Sequence, residues 1–402
     1  MNPQLTILSA SAFSTLKACP VKYRNAYVYG IRKAEEADPL RIGSNWHAGL
    51  EAMSLKPEQP CPFCSKAAVP AAGCVYCQGT GYIDDPDVVL ARVLNARYET
   101  LYPGMPYEQR ETERVTILYS LLSYKWRWQD AKLNVIAREI PFRIPLIDPR
   151  TRHPVPNVVL DGMIDKIVSE DGVVKIVEHK STGDSVEPDS EYWSHLKLDL
   201  QTTLYPYAVQ RLQADELLTP YGIGADDPPV SDVIYDVWHK PQIAPKKLSQ
   251  ADTLAFLESG AYFEQEFQVA DVGRGALNGG GLEIDGKQVE VEQLKKGFAI
   301  RETPNMFGAR LFRDYSDRPD YYFARHPISR NSVDMERFER ELFALYQSIE
   351  SMRDNNSWYH NEHSCDNRAK CDYRQFCYSG TVLVPGDAPP GFVNIFQKKG
   401  KA

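Results

Sequence analysis

Apolar positions recur at helical spacing from Ser9 to Arg32, where Phe13, Leu16, Tyr23 and Tyr27 follow two serines, Ser9 and Ser11, able to cap a helix. A second helix is predicted from near Ile42 and carries His47. Residues 88–132 read as helical, with Val89, Val93, Leu94 and Leu101 on one side. From Val135 the pattern changes to that of strands. Val158–Val168 and Val173–Lys180 are rich in β-branched residues and flank the turn signal Ser169-Glu170-Asp171-Gly172, so they read as a hairpin. Helix is predicted again over 190–213, kinked or restarted at Pro206, then strand over Val230–His239 and a long helix over 332–353. Residues 241–300 are irregular and glycine-rich around Gly273–Gly281, a surface excursion. The tail from Val382 is punctuated by Pro and Gly, ends in lysines and is expected to be mobile. This order of elements suits an α/β or α+β core.

At 402 residues the chain can form one large domain or a core with insertions, and 43% hydrophobic content suffices for a core without disulfides. The net charge of −8 argues against a protein that coats nucleic acid by charge alone, but leaves room for a local basic groove. No apolar run approaches the roughly 20 residues that span a bilayer. Met1 to Cys19 lacks the features of a secretory signal, and a cytoplasmic protein is expected. In that setting eight cysteines point to metal rather than disulfides. Cys61, Cys64, Cys74 and Cys77 form a paired CxxC set suited to tetrahedral zinc. Cys365, Cys371 and Cys377 cluster near the other end, and Cys19 stands alone.

The hairpin carries the candidate chemistry. Glu178 and Lys180 are two apart on one strand and project to one face, and the turn can bring Asp165 alongside them. Converging carboxylates bind a hard cation such as Mg²⁺ or Mn²⁺, which can polarise a phosphodiester and activate water, while a lysine orients that water or stabilises developing charge. Taken alone, the pair reads more readily as ordinary exposed strand residues, because E-x-K is a common pattern. Asp161 shares the face of Asp165, and the spacing favours Asp165. Gln201 and Tyr205, four apart, share a helix face and could meet Lys180, a DNA strand or only their packing neighbours.

Asp165 followed by Glu178-x-Lys180 resembles the D…(D/E)-x-K signature of the RecB/AddB-like branch of the PD-(D/E)XK nuclease superfamily. Gly43-Ser44-Asn45-Trp46-His47 is similar to its G-x-x-x-H motif, and Gln201-Thr202-Thr203-Leu204-Tyr205 to its Q-x-x-x-Y motif. The stretch from Ser9 through Cys19-Pro20 and Tyr23 to Gly30 resembles its N-terminal helix. The resemblance implies an α/β, restriction-endonuclease-like core, a mixed central sheet flanked by helices. His47, Asp165, Glu178 and the carbonyl of His179 would hold the metal, and Lys180 would be the catalytic lysine. Some members clip their chain ends with a [4Fe–4S] cluster held by one early and three late cysteines, and Cys19, Cys365, Cys371 and Cys377 resemble that set. The five-residue gap between Cys365 and Cys371 departs from the commoner two, and zinc with His360 or His363 is the alternative. Cys74-x-x-Cys77-x-Gly79-x-Gly81 is similar to the zinc knuckles of DnaJ chaperones and here reads as a staple or a DNA or partner contact.

The expected organisation is an N-terminal helical part over 1–54, a zinc-knuckle insertion over 55–87 and the helical segment with the catalytic core over 88–240. An irregular excursion over 241–330, a helix with the cysteine cluster over 331–380 and the tail over 381–402 complete it. Within 308–330, Arg310, Arg313, Arg318, Arg325 and Arg330 interleave with Tyr315, Tyr321, Tyr322 and Phe323, either a DNA-contacting surface or a solvated face with core aromatics. Lys17, Lys22 and Arg24 form a weaker patch. No Walker loop is present, so duplex opening would need a separate helicase or a recombination or adaptation protein. The reading is a metal-dependent DNA exonuclease or end-processing nuclease in recombination, repair, phage replication or spacer acquisition. The alternatives are a silent DNA-binding scaffold and a zinc-knuckle interaction protein.

Overall fold

In a computed structural model the described residues are 5–35, 37–64, 72–102, 104–272, 281–295, 297–366 and 370–397. The glycine-rich stretch expected after Gly273 lies almost wholly outside them.

The centre is a mixed six-stranded sheet: β1 (Thr6–Leu8), β2 (Asn134–Ile147), β3 (Pro154–Glu170), β4 (Val173–Thr182), β5 (Asp232–His239) and β6 (Phe323–Ser329). The order is β1–β3–β4–β5–β6, with β2 antiparallel along the other edge of β3. β3 and β4 form the predicted hairpin. Glu170 pairs with Val173, so the turn is the two residues Asp171 (φ 48°) and Gly172 (φ 85°). Both central residues have positive φ, the twist that suits a tight hairpin, and Asp-Gly accepts it readily. β4 then runs parallel to β5, and β5 antiparallel to β6.

One edge of β3 is shared. β1 pairs with Val158–Leu160, and β4 pairs with Lys166–Glu170. The intervening residues 161–165 have no strand partner on that edge among the described residues. The site opens at this gap.

Helices cover both faces. α1 (Ala10–Ala18), α5 (Leu200–Ala214) and α7 (Ser332–Asp354) share one apolar core with the sheet, through Phe13, Leu204, Ala208 and Leu342. α2 (Asp38–Met53), α3 (Pro86–Thr100), α4 (Tyr107–Arg127) and α6 (Pro304–Asp317) build a second core on the opposite face. There Trp46 stacks on Trp238 of β5 at 4.2 Å between ring centres. Such a pair adds about 1 kcal/mol beyond the area it buries. None of the described helices is long and apolar enough to cross a membrane.

Several local expectations need correction. The first helix ends at Ala18; a short helix over Pro20–Tyr23, a π turn over Arg24–Val28 and a strand over Ile31–Lys33 follow. Residues 190–213 divide into a 3-10 segment, Glu191–Lys197, and α5, which Asp199 caps by accepting from Thr202 N–H at 2.9 Å. α5 runs through Pro206 without a break and packs on β2, α1 and α7. The stretch 241–300 is less irregular than expected. It holds a helix, Gln250–Ser259, and short strands around a small core of Leu248, Phe256, Leu282, Ile284, Ile300 and Met306. The tail is tied down as far as Gln397: Phe392–Asn394 pairs antiparallel with Ile31–Lys33, and Asn394 donates to Tyr29 O at 3.0 Å.

Candidate active site

Alternation along β4 sends Glu178 and Lys180 towards α5 and His179 towards α4. Asp165 lies one step beyond the last β3–β4 pair, Lys166 with Val177, and its Oδ2 accepts the His179 N–H at 2.8 Å. Asp161, the competitor in the sequence, is turned to Arg143, which donates to it at 2.7 Å. Asp165 is the carboxylate brought to Glu178.

The first turn of α5 supplies the polar partners. Gln201 donates to Glu178 Oε1 at 2.9 Å and to the Tyr205 hydroxyl at 2.6 Å, and its carbonyl accepts from Lys180 Nζ at 2.8 Å. Lys180 also donates to Glu178 Oε1. Phe142, lying across Gly162, meets the Tyr205 ring edge-on at 5.9 Å and so fixes that ring. A Cβ at Gly162 would come within 2.5 Å of the Phe142 ring, so only glycine permits this approach.

His47 enters from α2, with Nδ1 at 3.6 Å from Asp165 Oδ1. Its helix is anchored on both sides. Trp46 is clamped on Trp238, while Asn45, fully buried, accepts from Arg97 Nε at 2.6 Å. Arg41 adds a bidentate pair with Glu113 at 2.9 and 2.7 Å. The histidine therefore arrives on a rigid element, as a site with fixed geometry requires.

Burial lowers the pKa of His47, with Lys180 and Lys166 adding to the effect and Asp165 opposing it, so its ring stays neutral and free to ligate. Glu178, only 2% exposed, is shifted upward by burial and by Asp165, against the pull of Lys180. Burial disfavours the Lys180 ammonium, but Glu178 beside it outweighs this and raises its pKa. Glu178 Oε2 is buried and has no hydrogen-bond partner among the described residues. An orphaned carboxylate oxygen beside Asp165 and a neutral histidine is the donor set of a hard divalent cation, so these residues fit one.

The first four cysteines meet in a second site. Cys61 and Cys74 sulfurs are 3.9 Å apart, Cys64 and Cys77 3.6 Å, and all four lie within 4.8 Å of one another. Sulfurs around tetrahedral zinc, at bonds of about 2.3 Å, stand about 3.8 Å apart. The loop turns back through Gln78, Gly79 and Gly81, all at positive φ, and Cys61 N–H bonds Gly81 O at 2.8 Å. The intervening residues 65–71 are outside the described ones.

Cys19, Cys365, Cys371 and Cys377 line one pocket. They are not drawn to the spacing of the first four, which is the only group of its kind among the described residues. Around them the chain ends are joined by Asn361 and Ser364, both donating to Ala18 O at 2.9 and 2.7 Å, and by the Tyr373 hydroxyl on Ile31 O at 2.6 Å. His360 also lines the pocket, whereas His363 is exposed.

The arginine-aromatic stretch resolves as ion pairs and core. Arg310 pairs with Glu302, Arg313 with Glu264, Arg318 with Asp314 and Arg325 with Asp236. Arg330 is buried on Leu196 O and two threonines, and Tyr315, Tyr322 and Phe323 are buried.

Sequence reasoning missed the residues that back the site. Asp199 caps α5, and Tyr192 and Tyr235 lie close enough to Glu178 and Asp199 to be held above the usual tyrosine range, mainly by burial. Asp236, inside the otherwise apolar strand Val233–Trp238, was visible as an acid where packing alone would place none.

No curated protein matches the chain. A family profile, that of the PD-(D/E)XK nuclease superfamily, matches residues 7–378. The match spans the hairpin, α5 and both cysteine groups. The chain therefore belongs to the PD-(D/E)XK nuclease superfamily.

Proposed function

We propose that this protein hydrolyses phosphodiester bonds of DNA at ends or in single strands, as an exonuclease or end-processing nuclease of RecB/AddB-like character. The observation that carries the reading is the orphaned Glu178 Oε2, buried beside Asp165 and His47 with Lys180 one strand position pair away. His47, Asp165, Glu178 and the His179 carbonyl would hold Mg²⁺ or Mn²⁺, which when bound supplies Lewis-acid polarisation and an acidified water. The protein's own part is positional. The Asp165–His179 N–H bond keeps the end of the hairpin closed, and Gln201 bridges Glu178 and Lys180. Lys180 then presents an ammonium where negative charge accumulates on the attacked phosphate. Tyr205 fixes Gln201 from one turn further along α5.

Zinc suits Cys61, Cys64, Cys74 and Cys77, whose spacing is that of a single tetrahedral ion. A [4Fe–4S] cluster suits Cys19, Cys365, Cys371 and Cys377, four thiolates around a pocket too open for one such ion. Its role would be to join the chain ends. Substrate opening by a separate helicase or recombination protein, in repair, phage replication or spacer acquisition, completes the proposal.

The test is cleavage of end-labelled single- and double-stranded DNA with Mg²⁺ or Mn²⁺, using protein purified without oxygen. Cleavage by the wild type that falls at least about 100-fold in Lys180→Ala supports the nuclease. No cleavage by folded, metal-loaded wild type on any DNA end favours the silent scaffold.

A further inference from the structure

On the face of the sheet opposite Glu178 and Lys180 lies a cavity of about 240 Å³, bounded by the C-terminal ends of α2 and α4 and by the hairpin. Its polar lining includes Tyr124, Trp128, Lys166, His179, Asp236 and Arg325. The strand register produces it. His179, Asp236 and Arg325 stand directly opposite one another on β4, β5 and β6, and Lys166 faces Arg138 across β3 and β2.

The charges in this row do not balance. Three cations, Arg138, Lys166 and Arg325, are set on one sheet face with one carboxylate, Asp236, and Glu51 of α2 offsets Arg138 from above. That carboxylate is already engaged, its Oδ2 accepting from Arg325 Nε at 3.0 Å and from the Tyr124 hydroxyl at 2.5 Å. Lys166 makes no hydrogen bond or ion pair among the described residues, although every other charged group lining the cavity, Lys125 on Asp87 included, has one. Unused donors accompany it. The Trp128 indole N–H is buried without a hydrogen-bond partner, and so are the two ring nitrogens of His179, one donor and one acceptor in the neutral ring, with Nδ1 3.7 Å from Asp236 Oδ2; His179 is only 2% exposed. On the acceptor side Asp236 Oδ1 is likewise unpartnered. Buried polar atoms are seldom left unpaired, and the half-buried, unpaired Lys166 ammonium beside them adds positive charge, which points to a missing group with several acceptor oxygens and negative charge.

We propose that this cavity binds a phosphate monoester, with Lys166 as its charge partner and the Trp128 and His179 N–H groups as further donors. The volume holds a phosphate group with water, and the cavity opens to solvent beside the exposed Lys125. Two sources share this chemistry: the terminal phosphate of a DNA strand, or a free nucleotide. Because Lys166 adjoins Asp165 and His179 lies between Glu178 and Lys180, an occupant would bear on the strands that carry the metal-site residues. The inference itself concerns binding and stands independently of whether the chain cleaves DNA.

The test is calorimetric titration of the intact, metal-loaded protein with inorganic phosphate, without added Mg²⁺ or Mn²⁺. One saturable site is expected, weakened about tenfold or more in Lys166→Gln, retained in Lys166→Arg, and retained in Glu178→Gln on the other face. Titration with dAMP, and with an oligonucleotide bearing or lacking a 5′-phosphate, separates the sources. A preference for the phosphorylated strand that Lys166→Gln abolishes identifies the strand end; binding of phosphate and dAMP without that preference identifies the free ester. Absence of a saturable site in the wild type overturns the proposal. So does unchanged binding in Lys166→Gln, or loss in Glu178→Gln alone. Should Lys166→Gln fail to fold, Trp128→Phe removes only the indole donor: weaker binding supports the site, and unchanged binding overturns it.

Discussion

Gln201 donates its side-chain amide to Glu178 Oε1 at 2.9 Å, which leaves the buried Oε2 as the free oxygen of that carboxylate. The same amide group accepts from Lys180, so one residue of α5 sets the relative position of the acid and the lysine on β4. Replacing it by leucine keeps the volume and removes the bridge. Gln201→Leu is expected to lower DNA cleavage about 10- to 100-fold while the melting temperature stays near that of the wild type. Single-turnover cleavage with saturating metal, beside a melting curve, checks both parts.

His47 is the one proposed ligand that comes from outside the hairpin, and its helix is pinned by Trp46 and Asn45 rather than by the site itself. His47→Ala should leave the fold intact and raise the Mn²⁺ concentration needed for half-maximal cleavage by about tenfold or more. An unchanged metal requirement would remove His47 from the site.

Cys61, Cys64 and Cys77 belong to the same buried cluster as Trp46 and Leu50 of α2. Loss of the zinc proposed there should therefore be felt beyond the knuckle. Cys64→Ser is expected to release about one zinc per chain and to lower the melting temperature by several degrees. Metal analysis of the purified variant, with a thermal melt, reads the outcome.

At the other cysteine site the ends of the chain are also joined by protein contacts, including Tyr373 on Ile31 O and the pairing of Phe392–Asn394 with Ile31–Lys33. Cys371→Ser should lose about four irons per chain and the visible absorption of the cluster. The chain should remain folded but be cut faster by protease near its C-terminal end. Zinc found in place of iron in anaerobically prepared wild type would reassign the site.

Burial alone would raise the Glu302 carboxyl, but hydrogen bonds from Arg310, Tyr262 and the Lys246 N–H hold it below the ordinary range. A depressed carboxyl pKa adds stability that is complete above the unfolded value of about 4.3 and is lost as pH falls through the lower folded value. Glu302→Gln should thus cost about 2 kcal/mol at neutral pH, because it removes the charged partner of the partly buried Arg310. The gap from wild type should stay constant down to about pH 5 and begin to narrow only below about pH 4. Urea unfolding at a series of pH values measures it.

The hairpin, its Asp-Gly turn and the shared face of Glu178 and Lys180 were legible in the sequence, because strand alternation and turn chemistry are local rules. So was the first cysteine set, whose ligands lie close together along the chain. The preference for Asp165 over Asp161 rested on spacing alone in the sequence; in the structure Arg143 donates to Asp161 while the His179 N–H donates to Asp165. The arginines of 308–330 were not interpretable from their letters. Their partners Glu302, Glu264 and Asp236 come from other segments, and an arginine seeking phosphate has the same sequence as one bonded to a distant carboxylate.

What the sequence determined by itself is therefore the set of local elements and the chemistry each carries: an acid–lysine strand, a histidine helix, a Gln–Tyr helix and two groups of thiols. Only the tertiary structure decided which of these meet. The gap along β3 between its pairings with β1 and β4 brings Asp165 to Glu178, and the Trp46–Trp238 stack turns α2 so that His47 reaches them. The same parallel and antiparallel registers set His179, Asp236 and Arg325 in one row behind the site. Such rows depend on which strands lie side by side. That is fixed by the packing of two apolar layers against the sheet, a collective property that no local window of sequence contains.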